Sequence, residues 1–160
     1  GNLLQLPVAD ASMDLLLALD SFDQSGVVLA EALAEARRVL KPDGRLLLRV
    51  SAHPWLQGGH DVAFNTGRRY SRIEIEDALR VAGYEPLSFG YANLLLAPPV
   101  IVLRLAQRLL QNTSGSSVYA SPLANQVVRL ALQLEAGWIR RAPLPFGLSL
   151  LAVARNGARA

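Results

Sequence analysis

Residues 13–50 constrain the fold more than any other part of the sequence. They open with MDLLLAL (13–19), a near-continuous apolar run that is typical of a strand buried on both faces of a parallel sheet. Apolar side chains then recur at helical spacing over 27–40, and the Lys-Pro-Asp-Gly turn at 41–44 predicts the end of that helix. GRLLLRV (44–50) predicts the next buried strand. Strand, helix and strand form a right-handed βαβ unit, which requires a parallel sheet and therefore predicts an α/β fold.

The following residues continue this alternation of helix and strand. Ser71 followed by Glu74 predicts a capping box at the start of a second helix, which Gly83 ends. Residues 84–91 predict a further strand.

The last third of the chain departs from simple alternation. Amphipathic patterns predict two helices before the final strand, which is LSLLAVAR (148–155). The helices are expected over 100–111 and 122–141, with a Ser/Gly loop over 112–117 between them. We therefore predict one partial domain over 1–160, divided into a Rossmann-like core (1–91), a helical cap insertion (92–145) and a final strand (146–160).

Composition excludes several classes of protein. The chain has 160 residues with 51% hydrophobic, 18% charged and no Cys, which excludes disordered, collagen-like and disulfide-rich proteins and thiolate zinc sites. No metal site is predicted. The apolar run 94–103 is broken by Pro98 and Pro99, so it does not predict a membrane-spanning helix. Because the only Met is Met13, we expect that an N-terminal part precedes this sequence.

Charge is distributed unevenly along the chain. Residues 1–85 contain 12 acidic and 9 basic side chains (net −3), whereas over 86–160 only Glu135 opposes 7 Arg (net +6). The basic residues are sparse and not interleaved with aromatics, so no nucleic-acid partner is expected. An amphipathic, Arg-containing segment predicts peripheral contact of residues 94–141 with an anionic membrane, although a cap over the active site is favoured and the two can coexist.

Three segments together resemble a known family. They are LPVADASMDLLLALD (6–20), ALAEARRVLKPDGRLLLRV (32–50) and PFGLSLLAVAR (145–155), and they resemble the C-terminal two-thirds of a class I S-adenosylmethionine-dependent methyltransferase. The resemblance implies a Rossmann-like, mostly parallel sheet, the second half of that fold, with extra helices before the last strand. The Gly-rich cofactor loop of the family is absent, as is its acidic residue for the ribose. A sheet without the family's first strands would expose an unpaired edge.

The resemblance also implies site residues for the cofactor S-adenosylmethionine. Asn2 and Leu3 match the family position beside the adenine, and Leu19 and Asp20 match the end of the strand beside the methionine and sulfonium. The family's Glu-His is Asp23-Gln24 here, which weakens any acid–base role at Gln24.

A narrower subgroup shares the pattern HPWL, HD and RRYS, found here within residues 53–71. Three of these residues are predicted to be catalytic, since a His beside a carboxylate can act as a base: His60, Asp61 and Tyr70. Four residues are predicted to bind substrate: His53, Trp55, Arg68 and Arg69. The loop that begins with His53 follows the carboxyl end of a strand, where such folds bind substrate. The guanidinium groups of the two arginines can each donate two hydrogen bonds to a phosphate or a carboxylate. The alternatives without a functional role stay open: His60 is a loop histidine that is hydrogen-bonded to the backbone, and Arg68 and Arg69 are solvated residues that precede a helix cap.

The predicted function is therefore methyl transfer from S-adenosylmethionine to a small or lipid-like acceptor, within a longer enzyme. Two alternatives stay open: a non-catalytic binding or assembly module, and a peripheral membrane-associated remnant of the fold. The expected location is cytoplasmic, with possible contact at the membrane surface. The acceptor and the oligomeric state are not predicted.

Overall fold

A computed structural model of the chain describes residues 2–109 and 122–157, apart from the side chains of His60 and of a few residues in the last two helices. Its strands form one sheet in the order β1-β2-β4-β3. β1 is parallel to β2, while β4 is antiparallel to both β2 and β3, so β1, β2 and β3 run in the same direction. The strands are β1 (Met13–Leu19), β2 (Leu40–Ser51), β3 (Tyr84–Ala92) and β4 (Ser149–Asn156). The predicted α/β class is confirmed.

The four predicted helices are present in the predicted order, and a short helix that was not predicted precedes the second of them. They are α1 (Leu29–Val39), the short α2 (Gly59–Ala63), α3 (Arg72–Val81), α4 (Ala97–Leu109) and α5 (Pro122–Ile139). The predicted capping box is present at the start of α3: Glu74 N donates to Ser71 Oγ at 3.3 Å, and Ser71 N donates to the Glu74 carboxylate at 2.8 Å. The predicted loop over 112–117 and Gln111 lie outside the described residues.

The hydrophobic core lies between one face of the sheet and helices α1 and α3. Alternate residues of β2 point into it, as the period of a strand requires. The buried side chains include Leu33 and Ala36 of α1, Leu46, Leu48 and Val50 of β2, Ile75 and Leu79 of α3, and Leu150, Ala152 and Ala154 of β4. Because both helices pack on the same face of the sheet, they cover that face and leave the opposite face open.

The prediction that β1 is buried on both faces is wrong. Only Ala18 is buried in this strand, and four apolar side chains on its other face are 40–57% exposed: Met13, Leu15, Leu17 and Leu19. Two physical reasons account for this. β1 is the last strand at its side of the sheet, and α1 and α3 cover only the opposite face. The expected unpaired edge is thus present within the described residues.

Two proline-containing segments also differ from expectation. β2 begins at Leu40 rather than Gly44: Met13 pairs with Leu40 and Leu15 with Arg45, so the intervening residues bulge out of the strand. Pro98 and Pro99 do not interrupt a helix but lie in the first turn of α4. Proline is tolerated there because the first N–H groups of a helix have no intrahelical partner.

Candidate functional site

The carboxyl ends of β1, β2 and β3 meet at one edge of the sheet, and each is followed by a strained residue. Asp20, His53 and Asn93 have φ of +50°, +61° and +66°, in the left-handed region that residues with a side chain adopt uncommonly, Asn and Asp more often than most. Strained backbone of this kind concentrates at functional sites. In α/β folds, ligands bind outside the carboxyl ends of the strands. This edge, called the carboxyl edge below, is therefore the candidate site.

Buried polar atoms that make no hydrogen bond mark the same edge. Among the described residues, the buried side-chain atoms that lack a hydrogen-bond partner are Asp23 Oδ1, Arg49 Nε and His53 Nε2. Asp23 lies in the loop after β1, Arg49 near the end of β2, and His53 just beyond it. Native structures satisfy most buried polar groups, and the exceptions are frequently functional.

A chain of polar contacts connects the strand ends. Arg49 Nε lies 3.3 Å from Asp20 Oδ1, and Arg49 Nη2 donates to Ser149 Oγ at 3.4 Å. Asn93 Nδ2 donates to the same hydroxyl at 3.3 Å. Burial raises the pKa of Asp20 above its ordinary value, and the Arg49 guanidinium opposes this. These contacts place the Asp20 carboxylate and the Arg49 guanidinium at the mouth of the site.

Helix α5 is joined to this edge through Glu135. Its carboxylate is buried and accepts hydrogen bonds from Asn93 N and from Leu95 N, the latter at 3.2 Å. The only acidic residue of the C-terminal half therefore fixes the segment after β3 instead of facing solvent.

Aromatic rings surround His53. Its ring stacks on Phe146 with centroids 4.6 Å apart and on Tyr91 at 5.5 Å, and Trp55 lies 5.7 Å away in a tilted arrangement. Burial lowers the pKa of His53 below its ordinary value; a hydrogen bond to the Gly147 backbone opposes this and the charge of Arg69 adds to it. Of the predicted substrate-binding residues, the structure brings His53 and Trp55 together.

Asp61 and Arg69 lie in a buried ion-pair cluster with Arg104 of α4. Their side chains are 3%, 7% and 9% exposed. Arg69 Nη2 donates to Asp61 Oδ1 at 2.6 Å, and Arg104 Nη1 donates to Oδ2 at 3.0 Å. Gly58 N also donates to Oδ2, at 2.7 Å, and Arg69 Nη1 donates to the Ala52 carbonyl at 3.0 Å.

The cluster indicates a structural role for Asp61 and Arg69 and not the catalytic and substrate-binding roles that were predicted for them. Burial alone would raise the pKa of Asp61, but hydrogen bonds from Arg69 and Arg104 bring it below its ordinary value. Both carboxylate oxygens are occupied, which argues against Asp61 as a base, and Arg69 has no outward-facing fork for a substrate anion. The side chain of His60 lies outside the described residues, so its predicted pairing with Asp61 stays a prediction.

Arg68 and Tyr70 lie on the helical side of the sheet. The Arg68 guanidinium sits 5.2 Å above the Tyr70 ring and pairs with Glu74 at 2.6 Å. Both line a cleft of about 670 Å³ at the N-terminal ends of α1 and α3. Burial raises the pKa of Tyr70, which keeps its hydroxyl protonated. His53 N donates to the Tyr70 carbonyl at 3.1 Å, but the rings that contact His53 are those of Trp55, Tyr91 and Phe146.

The predicted cofactor residues form only part of a site for S-adenosylmethionine. Leu19 is half exposed at the carboxyl edge, as an apolar wall would be, but the Asp20 carboxylate already pairs with Arg49. Asn2 accepts a hydrogen bond from Leu4 N at 3.0 Å within an exposed turn, beside Leu3. The described residues contain no glycine-rich loop for the methionine portion, and the acidic residue that the family places after its second strand for the ribose is absent from the sequence. They do not fit the whole cofactor.

Several residues of the carboxyl edge were not found from the sequence. They are Asp23, Arg49, Asn93, Glu135 and Ser149. Asp23 was noted only as a departure from a family motif, yet Ser51 N donates to its Oδ2 at 2.8 Å and Gly67 N to its carbonyl at 2.8 Å. The sequence carried one signal for Glu135: it is the only acidic residue of the basic segment 86–160. In the described part of the chain, no group of three or more His, Asp or Glu is placed to hold a metal ion.

The comparisons with known proteins agree with this fold. Residues 1–48 match the family described as "Methyltransferase domain". A methyltransferase of Haloferax volcanii, solved with the Trm112 methyltransferase activator, is 17% identical, with a TM-score of 0.58 over 99% of this chain and 60% of its own. A Bacillus halodurans methyltransferase is 16% identical, with a TM-score of 0.59 over 99% and 70%. No curated protein matches the chain in sequence.

A third structure was solved with a substrate and a cofactor product. It is geranyl diphosphate C-methyltransferase of Streptomyces coelicolor with Mg²⁺, geranyl diphosphate and S-adenosyl-L-homocysteine; it is 17% identical, with a TM-score of 0.56 over 98% of this chain and 52% of its own. The chain thus spans less than two thirds of the H. volcanii and S. coelicolor proteins. The predicted resemblance to class I S-adenosylmethionine-dependent methyltransferases is confirmed, by the family match over residues 1–48 and by the shared fold of these structures.

Proposed function

We propose that this chain carries the acceptor-side part of an S-adenosylmethionine-dependent methyltransferase, which methylates a small or lipid-like acceptor. The observation that carries the proposal is the carboxyl edge, where strained strand ends and unpartnered buried polar atoms coincide. The family match over residues 1–48 supplies the chemistry. Geranyl diphosphate, an apolar chain with a diphosphate, is the substrate of one structural neighbour and supports an acceptor of this kind.

The residues of the chain would act mainly by positioning the acceptor. Methyl transfer from a sulfonium is an in-line displacement with an activated leaving group, so alignment and exclusion of water supply much of the catalysis. The aromatic rings around His53 provide a rigid apolar wall, and Glu135 holds the segment after β3 against the same edge. The Asp20–Arg49 pair provides both signs of charge at the mouth.

Cofactor binding by these 160 residues is expected to be weak. Because the groups for the methionine and ribose portions are missing, a calorimetric titration with S-adenosylmethionine should give no saturable heat in the micromolar range. A longer natural protein that adds a glycine-rich loop should bind the cofactor. If that protein also fails to bind it, the alternative of a non-catalytic binding module is favoured. Micromolar binding by the 160 residues alone would contradict the assignment of an incomplete site.

A lipid-like acceptor is supported by the outer surface of α4 and α5. Large apolar side chains are exposed on both helices, among them Val102, Leu109, Leu134 and Trp138. Arg140 and Arg141 are exposed beside Trp138, while Glu135 is turned inward. Within residues 2–109 and 122–157, no helix is long and apolar enough to cross a bilayer. We infer peripheral contact of this surface with an anionic membrane, facing the cytoplasm.

This contact predicts salt-dependent binding to vesicles. The chain should co-sediment with vesicles that contain phosphatidylglycerol and dissociate as ionic strength rises from about 0.01 M to about 1 M, where charges are screened. Trp138→Ser should weaken co-sedimentation several-fold, since Trp anchors at membrane interfaces. Val81→Ser, at an exposed apolar position on α3, is the control and should have no effect. Equal losses in both variants, or no binding to anionic vesicles, would refute the membrane contact.

A further inference from the structure

Three strands of the carboxyl edge meet at Ser149. It is the first residue of β4, which lies between β2 and β3, and it pairs with Ser51 of β2 and with Ala92 of β3. Successive side chains of a strand alternate between the two faces, and the neighbouring Leu150 points into the core. The buried Ser149 side chain therefore lies on the opposite face, where groups from both neighbouring strands reach it.

The Ser149 hydroxyl is shared by two donors. Arg49 Nη2 donates to its Oγ at 3.4 Å, and Asn93 Nδ2 donates to the same atom at 3.3 Å. A serine hydroxyl has two lone pairs, so these two hydrogen bonds use its capacity as an acceptor. Asn93 thus fixes the hydroxyl from the side of β3, and the hydroxyl holds the Arg49 guanidinium from the side of β2.

Arg49 depends on this hydroxyl because its other charged contact is an open one. Arg49 Nε lies 3.3 Å from Asp20 Oδ1 but makes no hydrogen bond there, and the Asp20 side chain is 46% exposed. Exposed ion pairs hold a side chain weakly. Within residues 2–109 and 122–157, the bond to Ser149 is therefore the contact that directs the guanidinium.

Asn93 is in turn held by helix α5. Its N–H donates to the Glu135 carboxylate, which also accepts a hydrogen bond from Leu95 N at 3.2 Å. Between residues 125 and 139 of α5, Glu135 is the one buried side chain. Hydrogen bonds to a charged acceptor are stronger than those between neutral groups. A continuous path of contacts thus leads from α5 to Arg49.

We propose that Ser149 and Glu135 are positioning residues for the Arg49 guanidinium. Glu135 holds Asn93 in place, and Asn93 holds the Ser149 hydroxyl. That hydroxyl aims Arg49 toward the mouth of the carboxyl edge, so the docking of α5 controls the charge that the site presents to an acceptor. This inference rests on the proposed function for its biological meaning, since Arg49 belongs to the proposed acceptor site. Its physical content is a coupling between α5 and Arg49, which can be measured without cofactor or acceptor.

The first test measures, by NMR, how fast the Arg49 Nε hydrogen of the 160-residue protein exchanges with solvent. The signal is identified by its loss in Arg49→Lys. Ser149→Thr keeps the hydroxyl and Ser149→Val has the same shape without it, so the two variants form a matched pair. Because Nε is buried, its hydrogen exchanges when the guanidinium moves outward. Loss of one hydrogen bond should make this exchange about three- to tenfold faster in the Val variant, while the Thr variant keeps the wild-type rate.

The second test measures the coupling to α5. Glu135→Gln leaves one acceptor oxygen for two N–H groups, so it should make exchange at Arg49 Nε about threefold faster. In a protein that carries Asn93→Gly, which tolerates the left-handed backbone and lacks the side chain, Glu135→Gln should have no further effect. The backbone N–H of Leu48 in the core reports global opening, and the rise at Arg49 should exceed any rise there. Glu31→Gln, exposed on α1, is the control and should leave both rates unchanged.

The outcomes are decisive in both directions. Equal exchange at Arg49 Nε in Ser149→Val and Ser149→Thr, or a wild-type rate in Glu135→Gln, would overturn the proposal. So would an effect of Glu135→Gln that persists in the Asn93→Gly protein, or equal rises at Arg49 and Leu48. Where Ser149→Val fails to fold, the Glu135→Gln and Asn93→Gly proteins decide. Because neither cofactor nor acceptor is present, failure here leaves the proposed methyl transfer standing, and failed methyl transfer leaves this coupling standing.

Discussion

Replacing Asp61 by Asn is expected to lower the free energy of unfolding by about 3–5 kcal/mol, the cost of removing one partner from a buried ion-pair cluster. Two nearly buried guanidinium groups, those of Arg69 and Arg104, share this single carboxylate. Without its charge, both would remain in the interior with no anion. Urea denaturation of the wild-type and Asp61→Asn proteins measures the difference.

An exposed ion pair offers the matched control for that experiment. Asp14 pairs with Lys41 at 2.9 Å, but its side chain is 84% exposed, and exposed pairs contribute about 0–1 kcal/mol. Asp14→Asn should therefore change stability only slightly. If Asp61→Asn also costs less than about 1 kcal/mol, the cluster does not join α4 to the core, and the argument that Asp61 is structural fails.

Replacing Gly147 by Ala is expected to destabilise the protein by about 3 kcal/mol, at the upper end of overpacking costs. A Cβ at this position would lie 2.2 Å from the Ala92 carbonyl oxygen and 2.8 Å from its carbon. Backbone atoms cannot rotate away as a side chain can, so β3 or the segment before β4 must shift.

Gly137 supplies the contrasting substitution. It lies within α5, and a Cβ there meets no atom within 4 Å. Gly137→Ala should leave thermal stability unchanged or raise it by up to about 1 kcal/mol, because Ala is the better helix former. Thermal melts of the two variants should therefore move in different directions. A Gly147→Ala protein as stable as the wild type would show that Ala92 is not packed so closely against this glycine.

Local patterns predicted the elements of this fold well. The capping box at Ser71 and Glu74 depends on residues three apart, and the βαβ unit depends on periodicities that each segment carries by itself. These elements also predicted the α/β class, because two strands joined by a helix have few arrangements other than a parallel pair. Burial was harder to predict: the apolar run of β1 is exposed on one face, since its position in the sheet decides its neighbours.

The candidate site was only partly predictable. His53 and Trp55 were singled out because they follow a strand's carboxyl end, and they do lie together. Asn93 and Glu135 are 42 residues apart, as Leu95 and Glu135 are 40 apart, and no local pattern links them. The neighbouring motif residues Arg68 and Arg69 were misleading because they have different partners: Arg68 pairs with Glu74 at the surface, and Arg69 pairs with the buried Asp61.

The sequence by itself determined the order of helices and strands, the α/β class and the region of the site, because these depend on contacts between near neighbours and on strand direction. Only the tertiary structure decided which polar groups are paired. Asp61 pairs with Arg104, 43 residues away, whereas His53 Nε2 has no hydrogen-bond partner among the described residues. Such differences arise from the packing of segments that are distant in sequence, which set the burial and the partners of each charge.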